Sequence, residues 1–427
     1  MTFHLRIGLV YFFVTLIYLA GSDFFGLFET SQIIPGELYD YIFVSIVLFV
    51  LLYTRGKIII QSSRLSLFPY MLLIILASGQ MIVLYKTGQQ GIFDSLGAIR
   101  ELLYLFILYA FYQLNFNVEK VIRYIIILNV ISVFVYALEM MVGGPLFGAG
   151  FHVQGLYQPI GGVSVWRCFS SIPFASFSLV YMFAKLLNNE CLFGSNYKDK
   201  AVFAVLLLGI LLKMGRTTIM ATILVFVIAY YCATPNSLYG KIIKGIKILA
   251  VLMAGLVLMY FFSNGVFMRL LEGIVAIFEI TNLESDSTFM TRISTLYVRY
   301  NYLIDSGNLL LGLGPYNWKA SLVVDAVDKY ATNRGVFSPD SGYATFIVRY
   351  GIIGTGLYIY GHIKNFFILQ KRRNTVCLAT ACYLLSSLIG GFGGYGAMGD
   401  MTLLNIGILF ALCIKDEENS GRQYETA

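Results

Sequence analysis

The chain alternates long apolar runs with short polar connections. Runs long enough to cross a bilayer lie at 7–28, 37–54, 66–86, 98–114, 121–142, 169–188, 199–213, 217–234, 243–263, 341–362, 375–397 and 399–414. A helical span needs roughly 20 apolar residues, with shorter ones tolerated, so the pattern predicts about twelve transmembrane helices. Runs 199–213 and 217–234 are separated only by Met214, Gly215 and Arg216, which predicts a tight hairpin. One connection is long. Residues 264–340 carry helix-like stretches at 266–280 and 290–306, followed by the glycine turn Leu311-Gly312-Leu313-Gly314-Pro315. This pattern predicts a folded cap, and long structured insertions in compact domains usually serve function. A shorter Gly-rich loop covers 143–168. The expected layout is therefore 1–263 with nine spans, 264–340 as the external loop, 341–414 with three more spans, and 415–427 as a cytoplasmic tail.

Composition restricts the class further. Hydrophobic residues make up 58% of the chain and charged residues 12%. Lipid tolerates so apolar an exterior and water does not. The net charge of +7 is not a nucleic-acid signal, because the Lys and Arg residues flank the apolar runs. With both termini placed in the cytoplasm, 18 of the 30 fall on the cytoplasmic side, as the positive-inside rule requires. The cluster Lys241, Lys244 and Lys247 reads as a topology anchor facing anionic lipid. Arg6 followed by an apolar run resembles a signal peptide, but no small-residue cleavage site follows, and a retained first helix is expected. The six cysteines show no CxxC or Cys/His spacing, so neither a metal site nor a disulfide framework is expected. No nucleotide or cofactor motif is present; the segment 390–394, rich in glycine, lacks the lysine of a phosphate loop. It is expected to permit close helix packing, as are Gly351, Gly354 and Gly356.

Two features carry candidate chemistry. Arg100, Arg167, Arg216, Arg292, Arg299 and Arg349 map at or just below the outer face. Arg349 lies well inside the tenth run, roughly 13 Å deep at ~1.5 Å per residue. A guanidinium there costs at least ~2.5 kcal/mol unless it meets an anion, a carbonyl or water. Arginine cannot deprotonate, and its planar fork suits phosphate oxygens. One reading is a phosphate or pyrophosphate cradle; the other pairs Arg349 with an intramembrane acid, Glu101 or Glu139. The second feature is Asp340, where the long loop returns to the membrane after Pro339. It reads either as an acidic residue at a helix start, which favours the dipole, or as a general base at the mouth of an outward cavity. His4, His152 and His362 have no comparable setting.

These residues carry a resemblance. The stretch Thr291-Arg292, the turn Leu311 to Pro315 with Trp318, and the segments Asp340-Ser341-Gly342-Tyr343 and Arg349-Tyr350-Gly351 resemble the O-antigen polymerase and O-antigen ligase superfamily of bacterial polysaccharide enzymes. Gly215-Arg216-Thr217-Thr218, and Arg167 followed by Pro173 and Phe177, are similar to further arginine segments of that family. The resemblance implies an all-α, GT-C-like, polytopic protein of the bacterial inner membrane with a periplasmic loop. It implies a metal-independent glycosyltransferase without cofactor. Its donor would be an oligosaccharide on undecaprenyl pyrophosphate, with a chain-length regulator and a flippase as candidate partners. Asp340 would be the catalytic base, Arg167, Arg216, Arg292, Arg299 and Arg349 would hold the pyrophosphate, and Tyr343 and Trp318 would stack on sugars. The ligases place a histidine where this chain has Asp340, which favours polymerase over ligase. A lipid-linked oligosaccharide flippase is the alternative from another class. No internal repeat is present, and repeats are common in transporters.

Overall fold

The computed structural model describes residues 2–21, 38–55, 65–142, 155–160, 163–168, 172–212, 216–233, 287–316, 321–333, 342–372, 374–392 and 400–425. The predicted ninth span, the stretch 266–280, Trp318 and Asp340 lie outside the described residues.

The described chain is helical apart from one hairpin. The helices are α1 (Thr2–Gly21), α2 (Leu38–Tyr53), α3 (Phe68–Lys86), α4 (Ile92–Leu103), α5 (Ile107–Gln113), α6 (Val118–Val142), α7 (Ala175–Leu187), α8 (Asn196–Leu212), α9 (Arg216–Ala233), α10 (Ser287–Asp305), α11 (Ser321–Thr332), α12 (Gly342–Gln370), α13 (Thr375–Gly390) and α14 (Asp400–Glu425). Each apolar run within the described residues holds a helix, and the expected cap helix at 290–306 is α10. The run 98–114 is divided, because a 3-10 turn at Tyr104–Phe106 separates α4 from α5. Strands β1 (Gly155–Ile160) and β2 (Val163–Cys168) pair antiparallel where the sequence suggested only a Gly-rich loop. The residues expected to form a tail from 415 are a continuation of α14, whose Glu418 accepts a hydrogen bond from Tyr112.

Among the described residues two helices, Phe68–Lys86 and Val118–Glu139, are long and apolar enough to cross a membrane, and five shorter helices are apolar as well. Both long helices carry apolar residues on their exposed faces. On α3, Phe68, Met71, Ile75 and Ile82 are exposed; on α6, Ile127, Ile131, Phe134 and Leu138 are exposed. Residues spaced by three, four or seven lie on one helical face, so each set forms an apolar stripe that a water-soluble helix would turn inward.

The chain forms two compact units that interleave in sequence. The first comprises Met1–Ile42, Leu114–Asn282 and Arg372–Tyr383. In it α6 packs on α1 and α8, and α7 packs on α8 and α9. Its polar centre is Asn129, fully buried, which accepts a hydrogen bond from Tyr18 and donates one of 2.5 Å to Ser178. Asp199, also fully buried, accepts from the backbone N–H groups of Leu192 (2.7 Å) and Phe193 (2.9 Å) and so closes the turn before α8.

The second unit comprises Phe43–Gln113, Leu283–Lys371 and Leu384–Ala427. Residues Leu403 to Cys413 of α14 are almost completely buried in it. Gly407 lets α14 approach the 3-10 turn: a Cβ there would lie 2.7 Å from the Leu105 carbonyl oxygen. Helix α12 packs along α3. A Cβ on Gly361 would meet the Tyr70 ring at 2.8 Å, and the Asn365 side chain brackets Ser66, accepting from its N–H (2.8 Å) and donating to its carbonyl (2.9 Å).

Helix α12 is broken at Gly351, whose φ of 64° and ψ of −170° leave the helical region. An unbroken helix would bond the N–H groups of Ile352 and Ile353 to the carbonyls of Val348 and Arg349. The glycine turn takes over all four groups. Leu313 N–H donates to Val348 (2.8 Å) and Gly314 N–H to Arg349 (2.9 Å), while Ile352 and Ile353 donate to Leu309 and Leu310 (both 3.1 Å). The approach leaves no space for side chains. A Cβ on Gly351 would lie 2.3 Å from the Leu310 carbonyl oxygen, and one on Gly312 would lie 2.6 Å from that of Arg349. The sequence reading of Gly351 as a helix-packing glycine is therefore corrected: it is a break. Gly354 does pack against a neighbouring helix, with Leu73 3.1 Å from its added Cβ, whereas a Cβ on Gly356 meets nothing within 4 Å.

This geometry separates two glycines five residues apart. Gly351→Ala should destabilise the protein by about 3 kcal/mol or more, from left-handed strain and the clash with Leu310. Gly356→Ala should be neutral or stabilising by roughly 0.5 kcal/mol. Thermal unfolding of detergent-solubilised variants checks this, and equal melting temperatures for the two would contradict the inserted turn.

Candidate functional site

The turn and the break together hold a cluster of charged and aromatic side chains in the second unit. The turn is fixed from beneath by α3 and the segment after it. Gln80 donates its amide N–H to the Leu311 carbonyl, and Gln90 donates to the Pro315 carbonyl (3.2 Å) and to Ser95 (2.7 Å). A Cβ on Gly314 would lie 2.9 Å from Leu84, so the turn rests directly on α3. The amphipathic helix α11 covers it, with Val323 and Val327 packed in one apolar cluster with Leu84, Tyr316 and Val348.

Arg349 stands two residues before the break. Its Nη1 donates to both oxygens of Glu101, at 3.3 and 3.4 Å, and each side chain is 13% exposed. Its guanidinium also lies over the Tyr316 ring, 5.7 Å from the centroid. Of the two sequence readings, the pairing of Arg349 with an acid is present, and the acid is Glu101.

Arg299, on α10, is 5% exposed and donates from Nη1 to the hydroxyl of Thr345 at 3.4 Å. Thr345 and Arg349 are four residues apart on α12 and so share a face. Among the described residues no carboxylate lies within ion-pair distance of Arg299, and its Nε has no hydrogen-bond partner. Seven residues earlier, Arg292 lies on the same face of α10, half-buried, with its Nε likewise without a partner. Thr295 between them is fully buried and satisfies its hydroxyl on the Thr291 carbonyl (2.7 Å).

Tyr316 links the two arginines electrostatically. Burial pushes its hydroxyl above the usual tyrosine range, while the positive charges of Arg299 and Arg349 pull it down. Tyr302, on α10, is also raised by burial, and its ring packs edge-on against Tyr330 of α11 at 5.0 Å. Among the described residues the cluster thus contains two guanidiniums acting on one tyrosine, with Glu101 bonded to Arg349 and the Asp328 carboxylate near enough to Tyr316 to push its hydroxyl up. An uncompensated buried cation is costly, and an anion with several oxygens is the natural relief.

Of the predicted site residues, the structure brings Arg299 and Arg349 together and places Arg292 on the same helical face as Arg299. Arg167 pairs with Leu156 in the hairpin and Arg216 is the first residue of α9, both in the first unit; their side chains lie outside the described residues. Trp318 and Asp340 also lie outside them, and Asp340 precedes the start of α12 at Gly342. Tyr343 is 8% exposed, donates its hydroxyl to the Leu388 carbonyl (2.7 Å) and packs its ring on Phe392 at 4.6 Å. Tyr316, Thr345, Gln80 and Gln90 were not anticipated. The signals were present: Gln80 is a polar residue inside an apolar run, Thr345 is one helical turn from Arg349, and Tyr316 ends the glycine turn. No protein-family model matches this chain, and neither does any curated protein sequence.

Proposed function

We propose that the chain is a multi-pass membrane polysaccharide polymerase of the O-antigen type, with about twelve spans, both termini cytoplasmic, a GT-C-like arrangement and its site at the outer face. The observation that carries this reading is Arg299: a buried guanidinium, next to a second one, with no carboxylate of its own among the described residues. A lipid-linked diphosphate supplies the oxygens that such a pair lacks.

In this reading a growing glycan on undecaprenyl pyrophosphate is the donor, and a lipid-linked repeat unit supplies the acceptor hydroxyl. The acceptor oxygen bonds to the anomeric carbon as the bond from that carbon to the phosphate oxygen breaks. Asp340 takes the hydroxyl proton. The diphosphate leaves with the bonding electron pair, and Arg299 and Arg349, with Arg292, stabilise its growing charge. The free energy resides in the glycosyl phosphate bond, so the reaction calls on no nucleotide. Trp318 offers a ring for a sugar face.

Replacing Arg299 with Ala should lower polymerisation by roughly 100-fold or more at unchanged protein level, the magnitude typical of losing one charge-stabilising donor. The measurement is the lengthening of lipid-linked repeat units by purified protein, read on a gel. Long glycans from the variant at normal rate would remove Arg299 from the mechanism, and no lengthening by the wild type would favour a flippase. Asp340→Asn should likewise abolish chain growth, with wild-type expression and thermal stability; full activity would leave Asp340 a helix-start residue.

A further inference from the structure

On apolar run length alone, residues 264–340 form one external cap. The backbone sets part of that cap lower. Gly351 lies nine residues beyond the start of α12 at Gly342, roughly 13 Å along the helix at ~1.5 Å per residue. The glycine turn is bonded at that level, where Ile352 and Ile353 donate to Leu309 and Leu310. Helix α3, long and apolar enough to cross a membrane, gives the same level independently. Gln80, which reaches the Leu311 carbonyl, stands six residues before the end of α3 at Lys86, roughly 9 Å. Helix α10 runs in the direction of α12: Arg299 meets Thr345, and Leu309, ten residues on, meets Ile352. The chain then returns, because the Pro315 carbonyl is held by Gln90, which lies beyond the end of α3.

The side chains sort in the same sense. Helix α10 buries Thr295 and Arg299, with Val298 and Leu303, while Ile293, Tyr297 and Ile304 lie exposed on one face. A helix in water turns its apolar stripe inward; here a guanidinium is inside and an apolar stripe outside. At the tip of the turn Leu310 is 60% exposed and Leu311 49%, next to the exposed Ile352 and Ile353 of α12. The N–H groups of Gly307, Asn308, Gly312, Leu313, Gly314 and Tyr316 all donate to backbone carbonyls, which irregular backbone requires in hydrocarbon. Asp305, at the end of α10, accepts a hydrogen bond from the Tyr330 hydroxyl of α11.

We propose that the lower end of α10 and the glycine turn form a re-entrant element lodged in the outer leaflet, with lipid acyl chains as the partner of Ile304, Leu310 and Leu311. The inference rests on the multi-pass membrane reading and adds where the cap stops being external. Tyr297 falls level with the start of α12, where a ring with a polar hydroxyl suits the boundary between lipid and water. Arg299 and Arg349 are then held by elements that meet acyl chains on their outward side, which suits a substrate carried on a lipid tail.

Tryptophan emission from the full-length protein in lipid nanodiscs tests this without reference to glycan synthesis. Trp166 and Trp318 are replaced by Phe, single tryptophans are introduced, and the lipid is phosphatidylcholine or the same lipid brominated on its acyl chains. Leu310→Trp should lose roughly half of its emission in brominated lipid, as should Ile75→Trp on the exposed stripe of α3, because bromine quenches rings that touch the hydrocarbon. Asn333→Trp, exposed just beyond α11, should keep its emission. Leu311→Trp decides the matter if the Leu310 variant fails to fold. Quenching of Ile75→Trp without quenching at 310 or 311 overturns the re-entrant element: red-shifted emission there returns the turn to water, and blue-shifted emission assigns the patch to protein such as a second copy. If Ile75→Trp is unquenched as well, the multi-pass reading falls, and this inference with it.

Discussion

The second unit depends on one backbone exchange: the glycine turn at 309–314 hydrogen-bonds into the gap that Gly351 opens in α12. In an apolar solvent an unsatisfied N–H or C=O costs several kcal/mol, so a broken helix survives only where other groups replace the lost ladder. Here the two freed donors and two freed acceptors each find a partner on the turn. The exchange needs glycine at both contact points, because the two backbones meet where a Cβ would stand. Loss of either glycine would expose the backbone groups of both segments together.

That exchange also decides where charge is held. Arg349 ends the first half of α12, so the break fixes both its carbonyl and its side-chain direction. The turn continues directly into Tyr316, which delivers the ring that Arg349 covers. Helix α10 packs against α12 and brings Arg299 to Thr345, one helical turn from Arg349. Three segments distant in sequence thus converge because one of them is threaded through another. Two like charges repel, and burial raises the cost of each. Glu101 relieves one of them, and among the described residues Arg299 has no carboxylate within ion-pair distance.

Much of this was legible in the sequence, and what escaped it has a physical cause. Helix positions followed from apolar run length, because a long uninterrupted apolar run is the sequence mark of a helix that meets an apolar environment, and residue order reports it directly. The stripes on α3 and α6 were implied by the same runs. Arg299 and Arg349 stood out because a guanidinium in an apolar segment is expensive whatever the fold. The meaning of Gly351 did not stand out, since a glycine that breaks a helix and one that lets two helices touch look alike in sequence. Only the partner segment distinguishes them, and that partner lies some forty residues upstream. The hairpin at 155–168 was missed because β1 and β2 are short and its glycines read as loop.

The pairing of Arg349 with Glu101 looks at first like the plain structural reading of a buried arginine. Taken alone, that pair closes its own account and leaves no site. The cluster cannot be read that way, because charge is a property of the group and not of the pair. Arg299 is more buried than Arg349, and the tyrosine hydroxyl between them feels both charges. A purely structural cluster would be expected to supply the second carboxylate or to replace Arg299 with an apolar residue, which is commonly neutral or stabilising in a buried setting. Among the described residues the second buried guanidinium meets a threonine hydroxyl and has no carboxylate within ion-pair distance, an arrangement costly for folding. Arg299, more than the ion pair, is therefore the residue on which the proposed anion site rests.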